Sequence, residues 1–318
     1  MAWRTLCKNK NYITLVAVNQ FRLTAIFLYM KLKYVLLLCF VGLFVKSHAQ
    51  FGFVKKSELD VLKDSRIIVV LFNDSNYNAS IEKAFERNWK FNGGYQFVHD
   101  TMLKQFQNKP EYIYLVFSKS KASNKLKIKA CSTEDDMNGL VLTKKYKRKV
   151  TTDVLIANAF CSNKIDTPDW YPEMVRAVQL LNNFMDLALM AKDDKSIAIT
   201  SLTKNYPTNK TALNDKTLYV LKSDNGLKGK EDGAQLWGNS FEVLDERDEL
   251  NKLILEQSSD ALYFFSTKDA EYCNKFIVTA SGSELMYYAS TKATDPCQCT
   301  AKDLKALKEI HVNANKVK

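Results

Sequence analysis

Arg66-Ile-Ile-Val-Val-Leu71 is a nearly unbroken apolar run rich in β-branched residues, the pattern of a strand covered on both faces. A run of the same kind returns 150 residues later as Lys216-Thr-Leu-Tyr-Val-Leu221. Trp89, followed by Tyr95-Gln-Phe-Val98, is answered by Trp237, followed by Phe241-Glu-Val-Leu244. Pro110-Glu-Tyr-Ile-Tyr-Leu-Val-Phe-Ser118 is answered by Ser258-Ser-Asp-Ala-Leu-Tyr-Phe-Phe-Ser266, at an offset of 148. Asn124-Lys-Leu126 then lines up with Asn274-Lys-Phe276, again at 150. An offset that drifts so little over four landmarks marks an internal repeat.

Between these landmarks the pattern is that of crossovers. Asn73 to Asn78 is turn chemistry, and Ile81, Phe85 and Trp89 fall four apart on one helical face. Tyr95 to Val98 is a short second strand, and Asp100 is expected to cap a helix bearing Met102, Leu103 and Phe106. Tyr112 to Phe117 is a third buried strand. Strand, helix, strand, helix, strand implies a parallel core with right-handed crossovers. Lys125-Leu-Lys-Ile-Lys129 then alternates as a half-exposed strand, and Leu140–Thr143 and Val154–Ile156 continue as hairpin strands. The longest helix, Tyr171 to Lys192, carries two adjacent apolar stripes and is expected to lie between the repeats or against another subunit. In the second copy, Leu227 to Gly233 holds two glycines, each about 1 kcal/mol against helix, and reads as a loop. A helix from Ala301 to His311 closes the chain.

The fold class is therefore α/β, with two tandem similar units. Each is a mixed sheet with a parallel β-α-β-α-β core followed by antiparallel hairpin strands. Residues 50–195 make the first unit with its long C-terminal helix, and residues 196–318 the second.

The leader reads differently. Met30-Lys-Leu-Lys33 is a short positive region, Tyr34 to Val45 is apolar, and Ser47-His-Ala49 places small residues before Gln50. That is the anatomy of a signal peptide over residues 30–49, with cleavage at Ala49/Gln50 and residues 1–29 as an upstream extension. The expected location is periplasmic or secreted, with no transmembrane segment in the mature chain. The net charge of +11 shrinks once the leader is set aside, because residues 50–318 hold 39 basic and 35 acidic residues. A net +4 does not mark a dedicated nucleic-acid binder.

Few residues are placed to carry chemistry. Beyond the leader only His99 and His311 remain, so a three-His metal site within one chain is excluded. His99 and Asp100 sit at the carboxyl end of a core strand, where α/β folds place ligands, and Asp245 and Glu246 hold the matching place in the second copy. These four are the binding candidates, although Asp245 to Glu249 also fits a helix start. Lys144-Lys-Tyr-Lys-Arg-Lys149 reads as a charged, edge-protecting stretch, and Glu134-Asp-Asp136 as a hairpin tip. Cys297-Gln-Cys299 lacks companion ligands for a closed metal site. One of the pair is expected to bond another cysteine such as Cys273. No phosphate loop, dinucleotide fingerprint, nucleophile elbow or His-Glu metal motif is present, and no cofactor is implied.

On Met30 to Gln50, the strand and crossover ending in Trp89, and the repeat, the chain resembles the signal-peptide-bearing, duplicated α/β proteins of unknown function of Gram-negative bacteria. The resemblance brings no activity or site residues. The reading is a non-enzymatic envelope protein, a binding or interaction module whose repeats form a cleft for a small ligand or an envelope partner. The alternative is an exported enzyme using carboxylate or thiol chemistry near His99/Asp100 or Cys297/Cys299.

Overall fold

The structure is a computed structural model describing residues 56–92, 94–107, 109–121, 125–127, 137–146, 149–150, 155–161, 170–190, 213, 215–268 and 272–315. The chain divides into Met1–His48 and Ala49–Lys318. The expected signal peptide, Cys131, the Glu134–Asp136 stretch, Lys147 and Arg148 lie outside the described residues, as does the side chain of His311.

After a short helix α1 (Lys56–Lys63), the first repeat runs β1 (Arg66–Leu71), α2 (Ser75–Asn88), β2 (Tyr95–His99), a 3-10 helix (Asp100–Gln105) and β3 (Tyr112–Lys121). It continues through β4 (Lys125–Lys127), β5 (Met137–Thr143), β6 (Lys149–Val150) and β7 (Leu155–Phe160) to α3 (Trp170–Met190). The second repeat is β8 (Thr217–Leu221), a 3-10 turn (Lys222–Asp224), α4 (Lys230–Trp237), β9 (Phe241–Leu244) and α5 (Arg247–Glu256). It ends with β10 (Ala261–Lys268), β11 (Tyr272–Thr279), β12 (Leu285–Lys292) and α6 (Ala301–Asn315).

Two mixed sheets result, of seven and five strands. Five strands correspond. The spatial order β2-β1-β3-β5-β7 in the first sheet matches β9-β8-β10-β11-β12 in the second, with two parallel pairs followed by two antiparallel pairs. The duplication reaches down to an irregularity. The register slips between Leu142 and Thr143 against β7, and between Ile277 and Val278 against β12. Leu142 pairs with Leu115 and Ile277 with Phe264, so the two bulges occupy the same node of the two sheets.

Three expectations are corrected. Arg66 N–H donates to Glu111 O and Thr217 N–H to Asp260 O, which places β8 and β10 one residue beyond the sequence match, at offsets of 151 and 149. The continuous buried runs of β1 and β10 have no alternation to set that register. Asn124–Leu126 and Asn274–Phe276 are also not equivalent. β11 takes the place of β5, whereas β4 pairs only with the end of β3, at Lys119–Lys121, and with β6. Third, of the stretch read as a loop, Leu227–Gly229 are non-helical but Lys230 to Gly233 belong to a helix. In α4, Gly233 lets the helix lie directly on Phe241, since a Cβ there would come within 2.4 Å of that ring. Close packing outweighs the propensity cost.

Two cores form. Leu218, Val220, Leu262, Phe264 and Ile277 pack with Trp237, Leu304 and Leu307 on one face of the second sheet. Tyr263, Phe265, Phe276 and Val278 on the other face join the core of the first repeat, together with Leu250 and Ile254 of α5. The link is α3, which packs against α2, β5 and β7 and also meets α5.

Candidate functional site

The seam between the repeats is built around the polar residues of α3. Glu173 and Arg176 are 2% and 1% exposed, which an ionised pair tolerates only when its charges are matched. Glu173 accepts from Arg176 and, at 3.3 Å, from Arg247 Nη1 of α5. The Arg176 guanidinium stacks on Phe265 with its Cζ 3.7 Å from the ring centroid. Burial pushes the Tyr263 hydroxyl beside it up to about 12. Burial likewise raises the thiol of Cys161, behind Glu173.

One turn further along α3 the polar stripe opens to the surface. Gln179, Asn182, Asn183 and Asp186 recur at helical spacing and line a cleft of about 280 Å³. Its floor is an amide lattice. Asn182 Nδ2 donates to Asn88 O at 2.6 Å while its Oδ1 accepts from Lys90 N–H at 3.0 Å. Gln179 Nε2 donates to Asn88 Oδ1 at 3.0 Å, and its Oε1 accepts from the Ser283 hydroxyl at 2.8 Å. Asn183 Nδ2 donates to Gly282 O at 2.8 Å. The turn from β11 to β12 is thereby pinned onto α3.

The rim carries charges of both signs. Arg87 and Lys90 stand at the end of α2, Asp186 on α3, and Glu284 on the turn of the second repeat. Burial raises the Asp186 carboxyl above its usual range, and Lys90 offsets part of that shift. Two residues here hold a left-handed backbone, Gln257 in the lining with φ 52° and Ser283 in the floor with φ 56°. Ser283 is also fully buried. Such conformations cost energy and concentrate where geometry must be held for a purpose.

The four residues singled out from the sequence lie elsewhere. His99 Nδ1 accepts from Thr101 N–H at 3.4 Å and lies 3.1 Å from Asp100 Oδ1. His99, rather than Asp100, is therefore the cap, and the element is a 3-10 helix. Asp245 is bound by Lys222 at 2.9 Å, and the Glu246 N–H donates to the Glu249 carboxylate at 3.5 Å at the start of α5. His99/Asp100 and Asp245/Glu246 thus sit at equivalent places on two separate sheets, and none of the four lines the cleft.

The cysteines divide cleanly. Cys273 and Cys297 form a disulfide with Cα atoms 5.6 Å apart, while Cys299 is buried and free. Burial first, and then Asp303, raises the Cys299 thiol. Beside it, Asp303 accepts from Lys275 Nζ at 3.0 Å, from the Tyr287 hydroxyl at 2.7 Å and from Thr300 N–H at 2.8 Å. Burial alone would raise the Asp303 carboxyl, but these donors hold it below its usual range. Among the described residues no group of three His, Cys, Asp or Glu side chains is arranged to hold a metal ion, and no helix is long and apolar enough to cross a membrane.

Compared with protein-family models, curated proteins and solved structures, the chain matches none.

Proposed function

We propose that this chain is an exported envelope protein that works as a non-enzymatic binding module, taking a small polar ligand in the cleft between its repeats. The observation that carries this reading is the composition of the cleft: both repeats contribute to it, its amide floor is locked, and its rim presents two cations and two carboxylates. A locked floor with a charged rim favours a compact ligand carrying both charge signs, since preorganised groups lose little entropy on binding. The rival thiol and carboxylate chemistry would draw on groups already engaged. Cys297 is bonded to Cys273, the Cys299 thiol is buried and held protonated, and Asp245 is paired with Lys222.

Native mass spectrometry of protein from envelope fractions, followed by thermal-shift assays with amino acids, short peptides, dicarboxylates and sugars, tests the proposal. One class should raise Tm by several degrees, as expected for a ligand near a hundred times its Kd. Lys90→Ala and Glu284→Ala should abolish that shift without changing the unliganded Tm by more than about 2 °C. If no class shifts Tm, and material that co-purifies stays bound to the double variant, the cleft is not the site.

A further inference from the structure

Tyr95, Met102 and Leu255 are the large apolar side chains exposed among the described residues, and the first two flank one strand. Tyr95 opens β2 and is 36% exposed, while Met102, 52% exposed, lies in the 3-10 helix that follows it. β2 is an outermost strand of its sheet and pairs with β1 alone. Its sequence, Tyr-Gln-Phe-Val-His, contains no carboxylate, lysine, arginine or proline, the residues that keep an edge strand from pairing.

The ladder sets the direction of each backbone group. Ile67 N–H donates to Gly94 O, so Gln96 and Val98 turn their peptide groups towards β1, and Tyr95, Phe97 and His99 turn theirs outward. His99 caps the 3-10 helix and commits its C=O there. No described residue pairs with the outward backbone groups of Tyr95 and Phe97, or with the His99 N–H.

The second repeat closes the same place. Leu218 N–H donates to Ser240 O as Ile67 N–H does to Gly94 O, which makes Phe241 of β9 the counterpart of Tyr95. Phe241 is fully buried, because Gly233 leaves room for its ring beneath α4. Under α2 that room is filled by Phe85, which meets Tyr95 edge-on at 5.1 Å and keeps it at the surface. β9 also carries Glu242, ion-paired with Lys230. Of the two corresponding edges, β2 is the uncharged and aromatic one.

The spacing of the outward groups selects the occupant. Positions 95, 97 and 99 are symmetric about Phe97, so a second β2 running antiparallel sets Phe97 opposite Phe97 and Tyr95 opposite His99. In that register each Phe97 exchanges both hydrogen bonds with the other, and each His99 N–H donates to the Tyr95 C=O of the other copy. An aromatic pair then sits on the axis and no like charges face one another within the strands. We infer that a second copy of this chain pairs with it through β2, antiparallel about Phe97, joining the two seven-stranded sheets into one. A contact of one short strand makes this dimer weak and concentration-dependent. It leaves the cleft free, since neither Tyr95, Phe97 nor His99 lines it.

Sedimentation velocity of the full chain from roughly 1 to 100 μM should show a reversible monomer–dimer equilibrium. His99→Pro tests the edge directly. His99 has φ −65°, the value that proline imposes, so the monomer accepts the ring while the intermolecular ladder loses a donor from each copy. His99→Ala removes the same capping side chain but keeps the N–H. The dissociation constant should rise at least about tenfold in His99→Pro and stay within about twofold of wild type in His99→Ala. Amide exchange of the wild type, read by NMR, should slow at Phe97 and His99 as concentration rises. That measurement needs no substitution and decides the matter if His99→Pro does not fold. A monomer throughout, or a dimer undiminished in His99→Pro, as association through the apolar leader would give, would overturn the inference. So would amides at Phe97 and His99 that exchange alike at all concentrations, or that are protected in a monomer by an added extended peptide.

Discussion

The helices that close the two repeats hold the same place in the fold and are secured by different forces. In α3 every residue from 172 to 182 is buried, because its own sheet and α2 lie on one side and the second repeat lies on the other. In α6, which meets α4 and β12, the buried side chains among those described are Asp303, Leu304 and Leu307. The helix with two neighbours is held by packing. The one with fewer is fastened at points, by the Lys275–Asp303 pair and by the nearby Cys273–Cys297 disulfide. One architecture can thus be stabilised by area or by local bonds, depending on what the rest of the chain lays against it.

The largest effect should come from the packed helix. Glu173→Ala leaves Arg176 buried without its carboxylate and should cost about 3–5 kcal/mol. Urea unfolding followed by tryptophan fluorescence, with Trp89 and Trp170 in the first repeat and Trp237 in the second, should remain a single transition shifted to lower urea. Two separated transitions in the wild type would show that α3 does not couple the repeats. Asp303→Asn should cost about 3 kcal/mol by weakening the buried pair. Because the folded carboxyl lies below its unfolded range, its stabilisation is complete above that range and is lost as pH falls through the lowered value. The deficit of the variant, read from urea midpoints, should be full at neutral pH and shrink below about pH 4. A deficit that grew in acid would contradict the assignment.

Cys273→Ser/Cys297→Ser should cost about 2–3 kcal/mol, since the loop closed by the bond spans 24 residues. The cleft is built elsewhere, so ligand affinity should be unaltered by isothermal titration. The smallest effect belongs to Gly233→Ala. Helix propensity gains about 1 kcal/mol, but the methyl group meets the Phe241 ring, and overpacking costs about 1–3 kcal/mol. A net loss near 1 kcal/mol is expected from denaturation midpoints, and a gain would mean that α4 can lift off its sheet.

Much of this architecture was legible in the residues themselves. β-Branched runs, the two tryptophans and the matched spacing were enough for two α/β units in tandem. The register was not, because a strand buried on both faces has no periodicity to count. The helix at Gly233 escaped because its justification is a contact with Phe241, distant from any local propensity. Half of the cleft had a signal in the sequence: Gln179, Asn182, Asn183 and Asp186 continue along α3 the polar stripe that Glu173 and Arg176 begin. The other half was hidden, because nothing local announces that Ser283 adopts a left-handed conformation and turns its hydroxyl onto Gln179.

The burial of α3 also has a consequence in time. A ribosome finishes this helix well before it reaches Phe265 and Ser283, which meet its second face. For that interval the nascent chain holds a nearly complete first sheet beside a helix with one flank still wet. A duplicated unit is often assumed to fold by itself once it emerges. Here the earlier copy waits for the later one, and a polypeptide stopped near residue 195 would present that flank to any other apolar surface it met.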